Sequence, residues 1–301
     1  MYFTVFTPTY NRGEVLKRLY KSLKKQTFQD FEWIVVDDGS TDDTSKLMES
    51  ILQEDKNFKI VYEKKVNGGK HTAINMGAEL AQGVFFFIVD SDDYLPDNSL
   101  EIIHRYTEQI KSDFRYAGVA GLRGNSEKNA WNHFGIGGKE TTNNEYLKKE
   151  YLDATSFEYR YKYKIYGDRA EVVRTDVLKE HPFPVYTGEK FVTEGVLWSA
   201  LAHEKYIFRW FNQVVYITEE YRTDGLTKNI KDVHKKSPRG MRDYDNFLIG
   251  CCELPWLERL RAGVNYFTSG SQANDSNIVL FRNIACKWIA IPCFIMSRIR
   301  R

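Results

Sequence analysis

Cysteine and proline are scarce in this chain of 301 residues, with four of the first and seven of the second. Cys251 and Cys252 are adjacent, and Cys286 and Cys293, if helical, stand about 10 Å apart, beyond the roughly 7 Å Cα limit for a bridge. This usage excludes a disulfide scaffold, fits free thiols in a reducing compartment, and shows no metal-ligand spacing among the four. No apolar run reaches about eighteen residues, so no membrane-spanning helix is expected. Met1 to Phe6 has no basic flank and meets Pro8 too soon for a signal peptide. Charge of one sign is missing too: 43 Lys and Arg stand against 41 Asp and Glu, a formal net of +2. That balance excludes a disordered acidic chain and a nucleic-acid footprint, so the expected partner is not a polynucleotide. The loop after the first strand has no GxGxxG, which argues against a dinucleotide-binding Rossmann unit.

Aromatic residues are plentiful at 15%, with 19 Tyr and 19 Phe, enough for stacking surfaces as well as core. The chain is organised around Val84 to Asp93, VFFFIVDSDD. Its unbroken apolar run reads as a central strand buried on both faces, with acids at its C-terminal end. Open α/β sheets bind their ligands at that edge. Asp90 and Asp92, two apart on extended backbone, project to the same side, and carboxylates held that close suit a hard cation such as Mg²⁺ or Mn²⁺. Asp92 is the expected metal ligand, whereas Asp93 and Asp97 are expected to serve the N-terminus of the helix beyond Pro96.

Tyr2 to Thr7 reads as a strand broken by Pro8-Thr9-Tyr10-Asn11-Arg12, and Val15, Leu16, Leu19 and Leu23 mark the next helix, with Asn11 as its N-cap. Phe31 to Val36 is a second buried strand ending in Asp37-Asp38-Gly39-Ser40-Thr41-Asp42. Asp42 is read there as a helix cap, and at most one of Asp37 and Asp38 as a turn residue. Lys59 to Tyr62 is a third strand, leading through Asn67-Gly68-Gly69-Lys70 into a helix. Two glycines and a lysine at that point form a plausible anion cradle of backbone N–H groups and a cation, although two glycines before a helix are more often a turn. After the acids come a helix at 96–110 and a strand at 116–121. The βαβαβαβαβ pattern predicts a doubly wound parallel sheet. Gly124 to Asn144 reads as a long loop or short hairpins, and Phe157 to Tyr166 alternates strictly, predicting an antiparallel edge strand defended by lysines. Residues 170–179 read as strand, turn and helix, and Gly188 to Gly195 precedes a helix through Val196, Leu197, Leu201 and Ala202. Glu194 stands at that helix's first turn, either as a dipole acid or as a general base.

TPTYNR at 7–12, VDDGSTDDT at 36–44, NGGKHTAIN at 67–75, DSDD at 90–93 and TEGVLWSAL at 193–201 together resemble the family 2 glycosyltransferases of the GT-A fold. The resemblance is specific in order and spacing to about Gly121 and looser to about Thr227. It implies an α/β GT-A catalytic domain at 1–227, with a nucleotide-binding half at 1–121 and an acceptor-binding half at 122–227. The sheet would be mostly parallel with a small antiparallel part, and 228–301 would form a helical C-terminal extension. The implied activity is inverting transfer of one sugar from a nucleotide-sugar, expected to be a UDP-sugar, to a glycan or lipid-linked glycan, with Mn²⁺ or Mg²⁺. Its setting would be cell-surface polysaccharide or glycoconjugate synthesis.

In that family, residues matching Pro8, Thr9, Tyr10, Asp37 and Asp38 hold the nucleoside, the second Asp meeting uracil. Lys70 and Asn75 fall where the family contacts diphosphate and nucleoside, Asp90 near ribose and metal, and Asp92 on the metal. Gly68 of the cradle and Ser91 between the two acids complete the expected donor set. The family's base usually comes from a Glu-Asp pair matching Glu194-Gly195, of which this chain keeps the first acid. Glu194 is therefore the expected base, with Glu189 and Asp168 as substitutes. The QxxRW segment of processive synthases is not found, which favours a single transfer. Two rivals stand beside this reading. A nucleotidyltransferase shares a similar sheet but would carry a Gly-rich loop after its first strand, and a catalytically weak sugar-nucleotide-binding protein is kept open by Gly195.

Asn229 to Arg242 is polar and basic and reads as a mobile loop. Between Ile278 and Arg301, Leu280, Ile284, Trp288, Ile291, Ile295 and Ile299 form a stripe interrupted by Pro292, with five basic residues and no acid. Such a segment can lie in an anionic membrane interface or pack on the catalytic domain. The expected location is cytoplasmic, peripheral on the inner face of the plasma membrane if the first reading holds.

Overall fold

The structure, a computed structural model, describes residues 1–54, 57–126, 129–130, 149–218 and 230–299. Four strands, β1 (Phe3–Thr9), β2 (Phe31–Asp37), β3 (Lys59–Lys64) and β4 (Phe85–Ile88), alternate with helices α1 (Gly13–Lys24), α2 (Thr44–Gln53) and α3 (Lys70–Leu80), and α4 (Ser99–Ile110) follows them. β1 pairs in parallel with β2 and β4, and β2 with β3. β1, β2 and β4 are buried throughout, β4 as an unbroken apolar run covered on both faces, and the one charge inside β2, Glu32, is met by Thr4 Oγ1 at 2.8 Å and Lys59 Nζ at 3.2 Å. Alternation along β4 sends Phe85 and Phe87 into a core with Leu16, Leu19 and Ile103, and Phe86 and Ile88 into a second core with Ala73 and Ile74. The acids of 90–93 emerge from between these cores.

Beyond β4 the winding changes. β5 (Tyr116–Ser126), β6 (Asn129–Ala130) and β7 (Tyr151–Ala154) are followed by β8 (Arg169–Arg174), then α5 (Thr175–Glu180), α6 (Gly195–His203) and β9 (Ile207–Ile217). β8 inserts between β4 and β5, antiparallel to both, while β5 pairs in parallel with β9. The resulting order is β3-β2-β1-β4-β8-β5-β9-β7, with β6 beside β5. The sheet is thus mixed, as the GT-A expectation requires, and β5 does not continue the parallel series directly.

Several local expectations are corrected. Phe157 to Tyr166 is not a strand: Glu158–Lys162 forms a π-helical turn. The Glu158 N–H donates to Thr155 Oγ1 at 3.1 Å and the Thr155 N–H donates to Glu158 Oε2 at 3.2 Å, a capping box that the alternating aromatics conceal. Tyr159 then stacks on Trp210 with ring centroids 3.9 Å apart. Asn11 does not cap α1 but adopts φ 52° and accepts from the Thr41 N–H at 2.8 Å. Asn98, not Asp93 or Asp97, stands at the N-cap of α4. Asp43, not Asp42, stands at the N-cap of α2, and Asp42 serves two helix starts from one residue earlier, its Oδ1 accepting from the Thr44 N–H at 3.1 Å and its Oδ2 from the Gly13 N–H at 3.3 Å.

Residues 230–235 and 238–242 are helical rather than loop: α7 (Ile230–Lys235) and α8 (Pro238–Gly250), joined by a turn at Lys236 and Ser237, with Pro238 at the first helical position. Most of Gly124 to Asn144, and the expected boundary at 227/228, lie outside the described residues. The C-terminal bundle adds α9 (Trp256–Gln272), α10 (Asn277–Asn283) and α11 (Ala290–Ile299) around Ile249, Phe267, Leu280, Ile284 and Cys293. Pro292 falls in the first turn of α11, where its missing N–H loses no intrahelical bond. The expected single stripe divides: Leu280 and Ile284 turn inward, while Trp288, Ile291, Ile295 and Ile299 face outward. Among the described residues no helix is long and apolar enough to cross a membrane. All four cysteines are free thiols.

Candidate active site

The C-terminal edge of the parallel strands gathers most of the singled-out residues. β1 ends in buried Pro8 and Thr9, and exposed Tyr10, 48% accessible, follows it. Thr9 Oγ1 is buried and has no hydrogen-bond partner among the described residues, an orphan hydroxyl at the ligand edge. Asp37 and Asp38, at the end of β2, are engaged by the protein itself. Asp37 Oδ1 accepts from the Ser40 N–H at 2.7 Å and Oδ2 from Tyr62 Oη at 2.8 Å, so Asp37 is the turn residue of this pair. Asp38 accepts from the N–H groups of Gly68 and Gly69 at 2.9 and 2.7 Å and from Lys65 Nζ at 2.8 Å. The anion in the expected glycine cradle is therefore the Asp38 carboxylate, and those N–H groups are already taken.

Gly69 has a further duty. At φ 95° it turns the chain into α3, and a Cβ there would lie 1.9 Å from the Lys190 carbonyl oxygen. That close approach lays the 188–194 loop across the N-terminus of α3 and brings Glu194 to Lys70. Lys70 Nζ sits 2.6 Å from Asp90 Oδ1 and 2.7 Å from Glu194 Oε1, one cation between two carboxylates from opposite sides of the cleft. Burial works against the Lys70 charge, but Asp90 and Glu194 outweigh it and raise its pKa. Burial likewise penalises ionised Asp90, and Lys70 and Arg123 more than offset it, holding its carboxyl below the usual range.

Three residues of this cleft left no signal in the sequence reading. Arg123 on β5 lies over the Tyr216 ring at 4.3 Å and donates Nε to the Arg169 carbonyl at 2.8 Å. Tyr216 on β9 accepts from the Asp90 N–H at 3.0 Å and donates to Asp93 Oδ2 at 2.7 Å. Asp93 is thus a buried brace of the acidic turn, its pKa pushed to about 7 by burial and by the Asp90 charge. Glu171 on β8 rises to about 7 through burial, with Arg123 opposing and Glu194 adding to the shift. Arg123 and Tyr216 lie on strands whose pairing forms late in the chain, so spacing within the N-terminal motifs does not reach them.

Asp92 is half-buried, and among the described residues no hydrogen bond or ion pair engages its carboxylate. Ser91 beside it is buried. A free carboxylate next to Asp90, both oxygen donors, suits a hard divalent cation, so the residues present fit the metal that the motif implies. The remaining candidates fall elsewhere. Asn75 grips the main chain of residue 183, donating Nδ2 to its carbonyl and accepting its N–H at 2.8 Å each. Glu189 is buried on the N-terminus of α8, Oε2 accepting from the Gly240 N–H at 2.9 Å and Oε1 from the Arg239 N–H at 2.9 Å. Both of its oxygens are thus engaged at a helix terminus, where a carboxylate is favoured. Asp168 is exposed on the loop before β8, and its charge acts on Arg123 and Glu171. Gly195, where the family carries its second acid, is explained by the bundle. A Cβ there would stand 2.7 Å from Tyr244 Oη of α8, which hydrogen-bonds Ser199 Oγ at 3.0 Å.

Known proteins share this architecture. Residues 4–169 match the sequence model described as Glycosyl transferase family 2. A Campylobacter jejuni protein named GalNAc(5)-diNAcBac-PP-undecaprenol beta-1,3-glucosyltransferase is 29% identical over 234 residues, 77% of this chain and 70% of that protein. Glycosyltransferase GlyG of Streptococcus pneumoniae is 34% identical over 110 residues, 36% of each chain, so the match spans about a third of that relative. Among solved structures, Staphylococcus aureus TarS 1–349 in complex with UDP-GlcNAc superposes with TM-score 0.58 at 18% identity, over 99% of this chain and 90% of that one. The Pyrobaculum calidifontis mannosyltransferase PcManGT, in complex with GDP-Man and Mn²⁺, gives 0.57 at 16%, over 99% and 87%. At such identities the superpositions establish the shared fold, and the sequence model, which covers more than half of the chain, establishes the rest: the chain belongs to glycosyltransferase family 2.

Proposed function

We propose that this enzyme transfers one sugar from a UDP-sugar to a hydroxyl of a lipid-linked glycan, with inversion and with a divalent cation. The single observation that carries the reading is the bridge from Asp90 through Lys70 to Glu194, which joins the donor edge of the sheet to the acceptor side. Asp92 and Asp90 would hold Mn²⁺ or Mg²⁺. When bound there, the cation neutralises charge developing on the leaving diphosphate. Lys70 adds a fixed positive charge to the same region. Tyr10 offers an exposed ring face for the nucleobase, and the orphan Thr9 hydroxyl a polar contact beside it. Asp38 Oδ2, which accepts the Gly69 N–H, would use its second lone pair to meet uracil, with the rest of the carboxylate holding the loop in place. Glu194, with one oxygen on Lys70, keeps its other oxygen for the acceptor proton. As that proton leaves, the acceptor oxygen bonds to the sugar C1 and the C1–oxygen bond to the diphosphate breaks. One displacement gives inversion.

The name of the Campylobacter relative supports a glucosyl donor and an acceptor carried on a polyprenyl diphosphate, and the TarS complex with UDP-GlcNAc supports an N-acetylglucosaminyl donor as the second donor to try. The test is UDP release from a panel of UDP-sugars with and without Mn²⁺. Metal-dependent release from one donor, accelerated by a polyprenyl-linked glycan, is the expected result. No UDP binding by calorimetry on the same sample would overturn the uridine assignment.

Residues 278–299 support peripheral attachment to a membrane. Trp288 is 92% accessible, and Ile291, Ile295 and Ile299 continue the outward line at 67, 52 and 79%. Lys287 and Arg298 flank it, and no acid lies between 276 and 301. An apolar ridge rimmed only by cations fits an anionic lipid interface, which would place a lipid-linked acceptor within reach. Replacing Trp288, Ile291 and Ile295 together with Ser is expected to weaken sedimentation with anionic vesicles roughly tenfold or more, given about 1.5–3 kcal/mol for each fully buried large side chain. Binding of wild type and triple variant alike to anionic vesicles, or of neither, would refute the assignment.

A further inference from the structure

A second cluster of metal-binding side chains lies on the seam between the catalytic domain and the C-terminal bundle. His203 closes α6, while Cys251 and Glu253 lie in the turn just after α8. One ligand atom from each falls within 4.8 Å of the other two. His203 Nδ1 stands 3.4 Å from a Glu253 carboxylate oxygen. Two ligands each about 2.0–2.1 Å from one ion at a tetrahedral angle are separated by about that distance. Cys251 is buried against Ala202, Leu254 and Phe157, so its sulfur is fixed by packing from both sides of the seam. A cation is already drawn to this point, because Lys205 Nζ pairs with the other Glu253 oxygen.

We propose that His203, Cys251 and Glu253 form a Zn²⁺ site that clips the end of α6 to the end of α8. Imidazole, thiol and carboxylate in one small set match zinc chemistry better than that of Mg²⁺ or Ca²⁺, which take oxygen donors. Three protein ligands leave the fourth position to water, and binding releases the Cys251 thiol proton to solvent while displacing the Lys205 ammonium. The site is independent of the sugar-transfer reading. Its consequence is mechanical: the bundle places Tyr244 against Gly195 beside Glu194, so tying α8 to α6 holds the wall next to the base.

The test uses tag-free, full-length protein stripped by chelator. Titration with Zn²⁺ is expected to give one thiol-dependent equivalent and a higher Tm. His203→Ala, at an exposed position that the fold tolerates, and Cys251→Ser should each weaken binding at least about tenfold, since even an outer-shell loss costs about 10–100-fold. Cys286→Ser should leave it unchanged. Co²⁺ offers a readout that the Asp90–Asp92 carboxylates cannot mimic, a thiolate-to-metal charge-transfer band that Cys251→Ser removes. Absence of that band, or Zn²⁺ affinity unaltered in His203→Ala, would overturn the proposal.

Discussion

Glu194→Gln is expected to lower kcat roughly 10²–10⁴-fold, the range for a lost general base, while UDP binding stays within a few-fold of wild type. The substitution is nearly isosteric and keeps an acceptor for Lys70 Nζ, now 2.7 Å away, so the cleft retains its shape. What it removes is the ability to take a proton. An acceptor hydroxyl attacks C1 poorly unless its proton leaves in the same step, so the loss falls on kcat more than on donor KM. A matched measurement of acceptor-dependent turnover and calorimetric UDP affinity separates the two. Unchanged turnover with intact binding would move the base elsewhere, and Glu171, pushed to about 7 by burial with the Glu194 charge adding to the shift, would be the first place to look.

Asp92→Ala is expected to cost roughly 10²–10³-fold in kcat/KM and to abolish the response to Mn²⁺, since about 3–4 kcal/mol of stabilisation at the leaving group is lost. No hydrogen bond or ion pair of Asp92's carboxylate to another described residue is broken by its removal, so the fold should be little affected. Asp93 gives the contrast. It braces the turn through Tyr216, and Asp93→Ala should lower Tm through the lost buried bond. Titrating Mn²⁺ against UDP release in the Asp92 variant checks the assignment, and full metal-dependent activity would contradict it.

The two aspartates differ only in what the fold packs beside them, and the same contrast recurs across the site. The continuous apolar run at 84–89, and the run at 31–36 broken only by Glu32, dictated buried parallel strands, because cover on both faces suits them. Their acidic ends dictated where the ligand edge lies, and Lys70 at the head of α3 had to face it. The structure put Lys70 between Asp90 and Glu194, a contact across 124 positions that no spacing announces.

Other roles also depended on partners far along the chain. Asp38 and Gly68 stand 30 positions apart, Glu189 and Gly240 51, and Asn75 and Phe183 108. In each case a side chain with hydrogen-bonding capacity, well placed in its motif, is bound by distant backbone groups. Gly195 makes the point most clearly. From its motif it is a missing acid; in the fold it is the space that Tyr244 of the bundle fills. Local sequence therefore determined the strands, the helices between them and the edge where chemistry occurs, because hydrophobic period and strand-end acids act over a few residues. Tertiary structure alone decided which carboxylates remain free for ligands, because backbone N–H groups must be satisfied wherever burial leaves them, and distant acids satisfied several of them.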